Sequence, residues 1–262
     1  MNLLKIISDI EKVEPEVYEK LNSRRGMFKQ LSSTSIKVAA AAIPVLLGSV
    51  LTKGYGKSNS AAGDILNYAL TLEYLEDEFY AKGLAASGLI PANRMAIFQQ
   101  ISKHEAAHVK FLKDVLASIS ETAVAKPTFD FTAGGMFADV FTNYQTFLAL
   151  SQSFEDTGVR AYKGRAGELV GNADYLPAAL QIHSVEARHA SMVRRLRAEK
   201  GWITGKDATG LPQAIYDGEE NVMQAGKDVT TLGYSAGIVT EAFDEPLTPA
   251  QVLSIAGLFI ES

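Results

Sequence analysis

Residues 105–108 read Glu-Ala-Ala-His and residues 186–189 read Glu-Ala-Arg-His. Both fall in long stretches of helix-favouring residues. A helix turns about 100° per residue, so positions i and i+3 share a face. Glu and His at that spacing can grip one ion from a single helix. Two further stretches each carry a single glutamate followed seven residues later by a tyrosine: Glu73 with Tyr80, and Glu155 with Tyr162. The order is single Glu, Glu-x-x-His, single Glu, Glu-x-x-His, so the pattern occurs twice in the chain. Little else repeats. A lone Glu-x-x-His is most often a surface Glu and a packed His; two of them, each following a single Glu, form one constellation.

Apolar residues at helical spacing outline four long helices around these positions. The first spans Asp64 to about Ser87, through Ile65, Leu66, Ala69, Leu72, Leu75 and Phe79, and Gly88 ends it. The second begins near Pro91 and runs to about Ile119. The third runs from about Phe137 to Ala166, and the fourth from about Tyr175 to Lys200, where Gly201 stops it. The cations Arg194, Arg195, Arg197 and Lys200 suit a helix C-terminus, where they complement the dipole. Each helix spans roughly 36–45 Å at 1.5 Å per residue. The connections are short, long, short. The long one holds Pro127, Gly134 and Gly135. Short connections make antiparallel neighbours, and a long one can return along the bundle. The expectation is an all-α four-helix bundle with one long crossover over residues 61–201. An N-terminal extension (1–60) precedes it, and a C-terminal tail (202–262) with a short helix packs on it.

Four buried glutamates would each cost several kcal/mol, or be protonated, without cations. Two divalent ions would neutralise them. Mixed carboxylate and imidazole ligands suit iron or manganese and tolerate zinc. The set resembles the ferritin-like di-iron and di-manganese carboxylate proteins, in which two helices give one Glu each and two give Glu-x-x-His. Over about residues 64–200 it is similar to bacterioferritin and rubrerythrin, tyrosines included. The resemblance implies terminal ligands at Glu73 and Glu155, bridging ligands at Glu105 and Glu186, and His108 and His189 each completing one ion. It implies Tyr80 and Tyr162 as hydrogen-bond donors behind the carboxylates. It also implies redox chemistry on iron, dioxygen or peroxide, of ferroxidase or catalase type. The tail, Ala242-Phe243-Asp244-Glu245-Pro246-Leu247-Thr248-Pro249 and an apolar helix to Ile260, resembles the end of a bacterial ferritin-like family that includes desiccation-related, stress-associated proteins. Many of its members are exported.

Other classes are narrowed by composition. The chain has no cysteine and four histidines, which excludes disulfides, thiolate metal sites and cysteine nucleophiles. A net charge of -5 gives no basic excess for nucleic acid. Ser23-Arg24-Arg25-Gly26-Met27-Phe28-Lys29, ahead of an apolar stretch from Val38 to Leu51, resembles a twin-arginine export signal and points to the periplasm. The alternative is a cytoplasmic protein with an amphipathic N-terminal helix. Assembly into a homo-oligomer stays open.

Several residues carry competing readings. Glu76, Asp77 and Glu78 read as a solvated face, with Glu76 able to replace Glu73 as ligand. Asp156 reads as exposed or as a neighbour of the ligands, His183 as structural, and Trp202 as packing the tail on the bundle. His104-Glu105-Ala106-Ala107-His108 also matches the H-E-x-x-H zinc-protease motif, with Glu105 as base and Glu121 or Glu155 as third ligand. That reading leaves Glu73, Glu186 and His189 unused. A third reading is a non-enzymatic protein whose metal holds the bundle together.

Overall fold

The computed structural model describes residues 60–261; the Arg24-Arg25 motif and the apolar stretch after it lie outside them. Four long helices form the body: α1 (Ala61–Ala85), α2 (Met95–Ser118), α3 (Tyr144–Ala166) and α4 (Tyr175–Leu196). Ser60 caps α1 by accepting from the Gly63 amide, and Asn143 caps α3 by accepting from Gln145, each satisfying an orphan donor of the first turn.

Side-chain pairs fix the helix directions. Tyr80 late in α1 bonds Glu155 midway along α3, while Tyr162 late in α3 bonds Glu73 midway along α1, so α1 and α3 are antiparallel. The same argument makes α3 and α4 antiparallel, from Asp156–Arg194 and Val159–His183. Glu105–His189 and His108–Glu186 do so for α2 and α4. Hence α2 and α3 run parallel, and the 119–143 connection spans the bundle. It travels along α1. Thr122 and Val124 meet the Asn67 side chain, Lys126 pairs with Glu78 at 2.6 Å, and Phe131 packs on Phe79 at 5.4 Å. This is the expected single-crossover bundle.

The boundaries differ from expectation where local turn chemistry wins. The third helix starts at Tyr144, not Phe137. Ala133, Gly134 and Gly135 all take positive φ, and Asp130 accepts from the Thr132 and Gly134 amides, a side-chain competitor to helix hydrogen bonds. The fourth helix ends at Leu196 because Ala198 turns left-handed (φ 63°), and the Glu199 amide closes back on the Arg194 carbonyl at 3.0 Å. Ser120 ends α2 in the same way (φ 59°). These are helix-ending turns made without glycine.

The tail contains a two-residue hairpin, β1 (Met223–Gln224) with β2 (Lys227–Asp228), and two short helices, α5 (Ala236–Thr240) and α6 (Pro249–Ala256). Thr248 and Gln251 form a capping box on α6. Arg160, 0% exposed, anchors the tail. Its guanidinium donates to the carbonyls of Ile215, Asp217 and Glu245 and pairs with Glu219 at 2.8 Å. Asp156 forms a two-pronged pair with Arg194 (2.6 and 2.9 Å) and accepts from Tyr216 at 2.6 Å. Asp156 and Arg194 are therefore buried partners, not an exposed acid and a dipole-facing cation. Trp202 is 42% exposed; its carbonyl, not its ring, meets Arg194. At Gly164 an added Cβ would lie 2.0 Å from the Leu247 carbonyl oxygen, so the tail backbone needs glycine there. No described helix is long and apolar enough to cross a membrane.

Breaking one member of a buried ion pair costs about 3–5 kcal/mol, because the other charge is left behind. Asp156→Ala is expected to lower the unfolding free energy by that amount, read as a lower urea midpoint with an unchanged m-value if the native fold persists.

Candidate metal centre

The α1–α4 ligand positions converge in the middle of the bundle. Glu73, Glu105, Glu155 and Glu186 are all 0% exposed. They form two groups with the histidines: Glu73, Glu105, His108 and Glu186, and Glu105, Glu155, Glu186 and His189. Within each group one oxygen or nitrogen per residue lies within 4.8 Å of all the others. Glu105 and Glu186 belong to both groups.

Both imidazoles turn Nδ1 inward. His108 Nδ1 lies 3.1 Å from Glu73, 3.1 Å from Glu105 and 3.3 Å from Glu186. His189 Nδ1 lies 2.8 Å from Glu105, 3.3 Å from Glu155 and 3.9 Å from Glu186. Glu105 Oε1, Glu155 Oε2, both Glu186 oxygens and His189 Nδ1 are nevertheless buried without an acceptable hydrogen bond. Buried polar atoms that crowd together without bonding fit a shared third partner, and oxygen–nitrogen donor sets of this kind fit a transition metal. Tyr80 donates to Glu155 and Tyr162 donates to Glu73, so each single glutamate is oriented from the opposite helix.

The electrostatics follow from burial. It pushes Glu73 up to about 7 and also raises Glu155 and Glu186, with the neighbouring carboxylates adding to it. Burial acts on Glu105 in the same direction, but the imidazoles of His108 and His189 beside it outweigh it and bring Glu105 to about 2. Burial opposes charge on the imidazoles too, yet the carboxylates around them raise His108 to about 12 and His189 to about 11. The cluster thus draws in positive charge from whatever source it has.

Three residues are placed differently from the expectation. Glu76 is not part of a solvated face. It is 3% exposed, and burial, with Glu186, Glu155, Glu105 and Glu73 nearby, holds its carboxyl well above the usual range. It belongs to neither four-residue group, whereas Glu73 belongs to one. Gly158 makes its space: a Cβ there would lie 3.2 Å from Glu76 Oε1. Asp77 is half-buried, and Glu78 pairs with Lys82 and Lys126. His104 stands outside both groups. Its Nδ1 meets His189 Nε2 at 2.8 Å, the rings stack 5.1 Å apart, and Gln100 lies on its other nitrogen at 2.5 Å. A zinc protease needs His104 beside His108 on one ion; here His104 serves His189. The His104–His189 contact bridges α2 and α4 and had no signal in local spacing. His183 Nδ1 meets the Val159 carbonyl at 3.0 Å, a structural contact. Glu121 bonds Ser60 at the start of α1.

A single-crossover bundle that gathers four buried glutamates around one histidine from each Glu-x-x-His helix defines a class of carboxylate-centred helical proteins. A family model described as "Ferritin-like domain" matches residues 61–199. The chain belongs to that family. No curated protein matches it.

Removing one buried carboxylate relieves repulsion in the metal-free core. Glu186→Gln is expected to raise metal-free stability at pH 8 by about 0.5–2 kcal/mol, the scale of relieving active-site strain, read as a higher thermal midpoint in chelator.

Proposed function

We propose that the bundle holds two divalent ions, iron or manganese, and uses them to reduce dioxygen or peroxide. The observation that carries this is the sharing of Glu105 and Glu186 by both ligand groups, the arrangement two bridging carboxylates need. Glu73 with His108 would complete one ion, and Glu155 with His189 the other. Two such ions would supply two electrons, enough with two protons to take dioxygen to hydrogen peroxide, or hydrogen peroxide to two waters.

The chain's own residues would do the rest. Tyr80 and Tyr162 hold the single glutamates in orientation through their hydroxyl protons. His104 accepts from His189 Nε2–H, which leaves Nδ1 free to ligate. Buried Phe79, Phe98 and Phe147 keep water from one end of the site. A second reading, in which metal serves only to join the helices, is favoured by the ligands coming from all four of them. Zinc is tolerated by the donor set, but His104's position speaks against the protease. We also infer export by the twin-arginine machinery to the periplasm, supported by Arg24-Arg25; that route accepts a folded, metal-loaded chain.

Elemental mass spectrometry of the full chain is expected to find about two Fe or Mn per chain, lost in Glu105→Ala/Glu186→Ala. Oxygen or peroxide consumption on adding Fe(II) then separates the redox reading from the structural one. No bound metal after reconstitution with Fe(II) and Mn(II) would sink both.

A further inference from the structure

The two ends of the bundle are not equivalent, although the ligands repeat. Phe79 stands six residues after Glu73, and Ala161 stands six after Glu155. Phe98 stands seven residues before Glu105, and Ala179 seven before Glu186. One end is therefore filled: Phe79, Phe98 and Phe147 are 0% exposed, with ring centroids 4.9 and 5.1 Å apart. The other end has lost two rings, and a cavity of about 30 Å³ lies there. Its walls include Ala161 and Ala179 and are almost wholly apolar.

The cavity lies one helical turn from one of the two groups. Ala69, Leu112 and Ile182 line it, each one helical turn from Glu73, His108 and Glu186 respectively. Tyr162, whose hydroxyl bonds Glu73, also lines it. Phe111, 40% exposed, lines it towards the surface. A void of this size holds roughly one or two molecules as small as water. That excludes an organic substrate. Apolar walls disfavour water and peroxide, which lose hydrogen bonds on entry, and leave the space to an apolar diatomic gas.

We propose that this cavity is a dioxygen port, opening onto the Glu73–His108 side of the centre, and that dioxygen rather than peroxide is the oxidant. This rests on the di-metal reading above, and the cavity can be tested apart from it. Xenon, an apolar probe of similar bulk, is titrated into the full chain by xenon NMR, for the wild type and for Ala179→Phe, which copies the filled end. Oxidation of bound Fe(II) is timed with dioxygen and with hydrogen peroxide.

The expected result is saturable xenon binding in the wild type that Ala179→Phe abolishes, and a roughly tenfold fall in the ratio of dioxygen-driven to peroxide-driven rates. Should Ala179→Phe not fold, xenon pressure on the wild type is expected to slow the dioxygen-driven rate alone. Absence of xenon binding, or equal slowing of both oxidants, overturns the port. Fe(II) oxidised by peroxide but not by dioxygen also overturns it and leaves the di-metal reading standing. A chain that binds xenon but no metal overturns the functional reading, and the port falls with it.

Discussion

Five carboxylates, Glu73, Glu76, Glu105, Glu155 and Glu186, crowd one buried space at the centre of this molecule, and most of what surrounds them compensates for that. They come from all four long helices, so the repulsion acts between helices and would push them apart. Two imidazoles, two tyrosine hydroxyls and, on our reading, two cations oppose it. The aromatic stack and the tail then close the bundle around a centre that burial alone would destabilise. On our reading, the arrangement trades some stability of the metal-free state for a site that holds metal.

The tail and the centre meet on α3. Glu155 faces the ligands, while its neighbour Asp156 takes the Arg194 pair and the Tyr216 hydroxyl. One turn on, Arg160 gathers tail carbonyls. Two faces of one helix thus carry two jobs, and a rotation of α3 that suited one would spoil the other.

The helical bundle and its crossover were legible because their signals are local: apolar spacing, breaks at Gly and Pro, and the relative lengths of the connections. The six clustered positions were legible because i,i+3 spacing and its repetition lie along the chain. What stayed hidden depends on neighbours far apart in sequence. Glu76 sits in an acidic run that looks solvated, and only Gly158 on another helix reveals the space it fills. Asp156 and Arg194 are ordinary surface residue types until their pairing is seen. His104 looked like half of a protease motif because its partner, His189, lies on α4. The third helix began late because Asp130 and two glycines compete with helix formation, a contest that periodicity does not register. The Phe-for-Ala exchange between the bundle ends was present in the sequence, but only the ligand repeat tells which positions to compare.

The Arg160 anchor also bears on the order in which the chain is made. Synthesis runs from the N-terminus, and domains fold as units when their residues have emerged. Arg160 emerges with α3, whereas its partners at residues 215–219 and 245 come after the last bundle helix. Until then its guanidinium has no buried acceptors, and the end of α3 cannot close over it. A chain cut short before Ile215 lacks all four of these partners. The tail is in this way written into the packing of the bundle core.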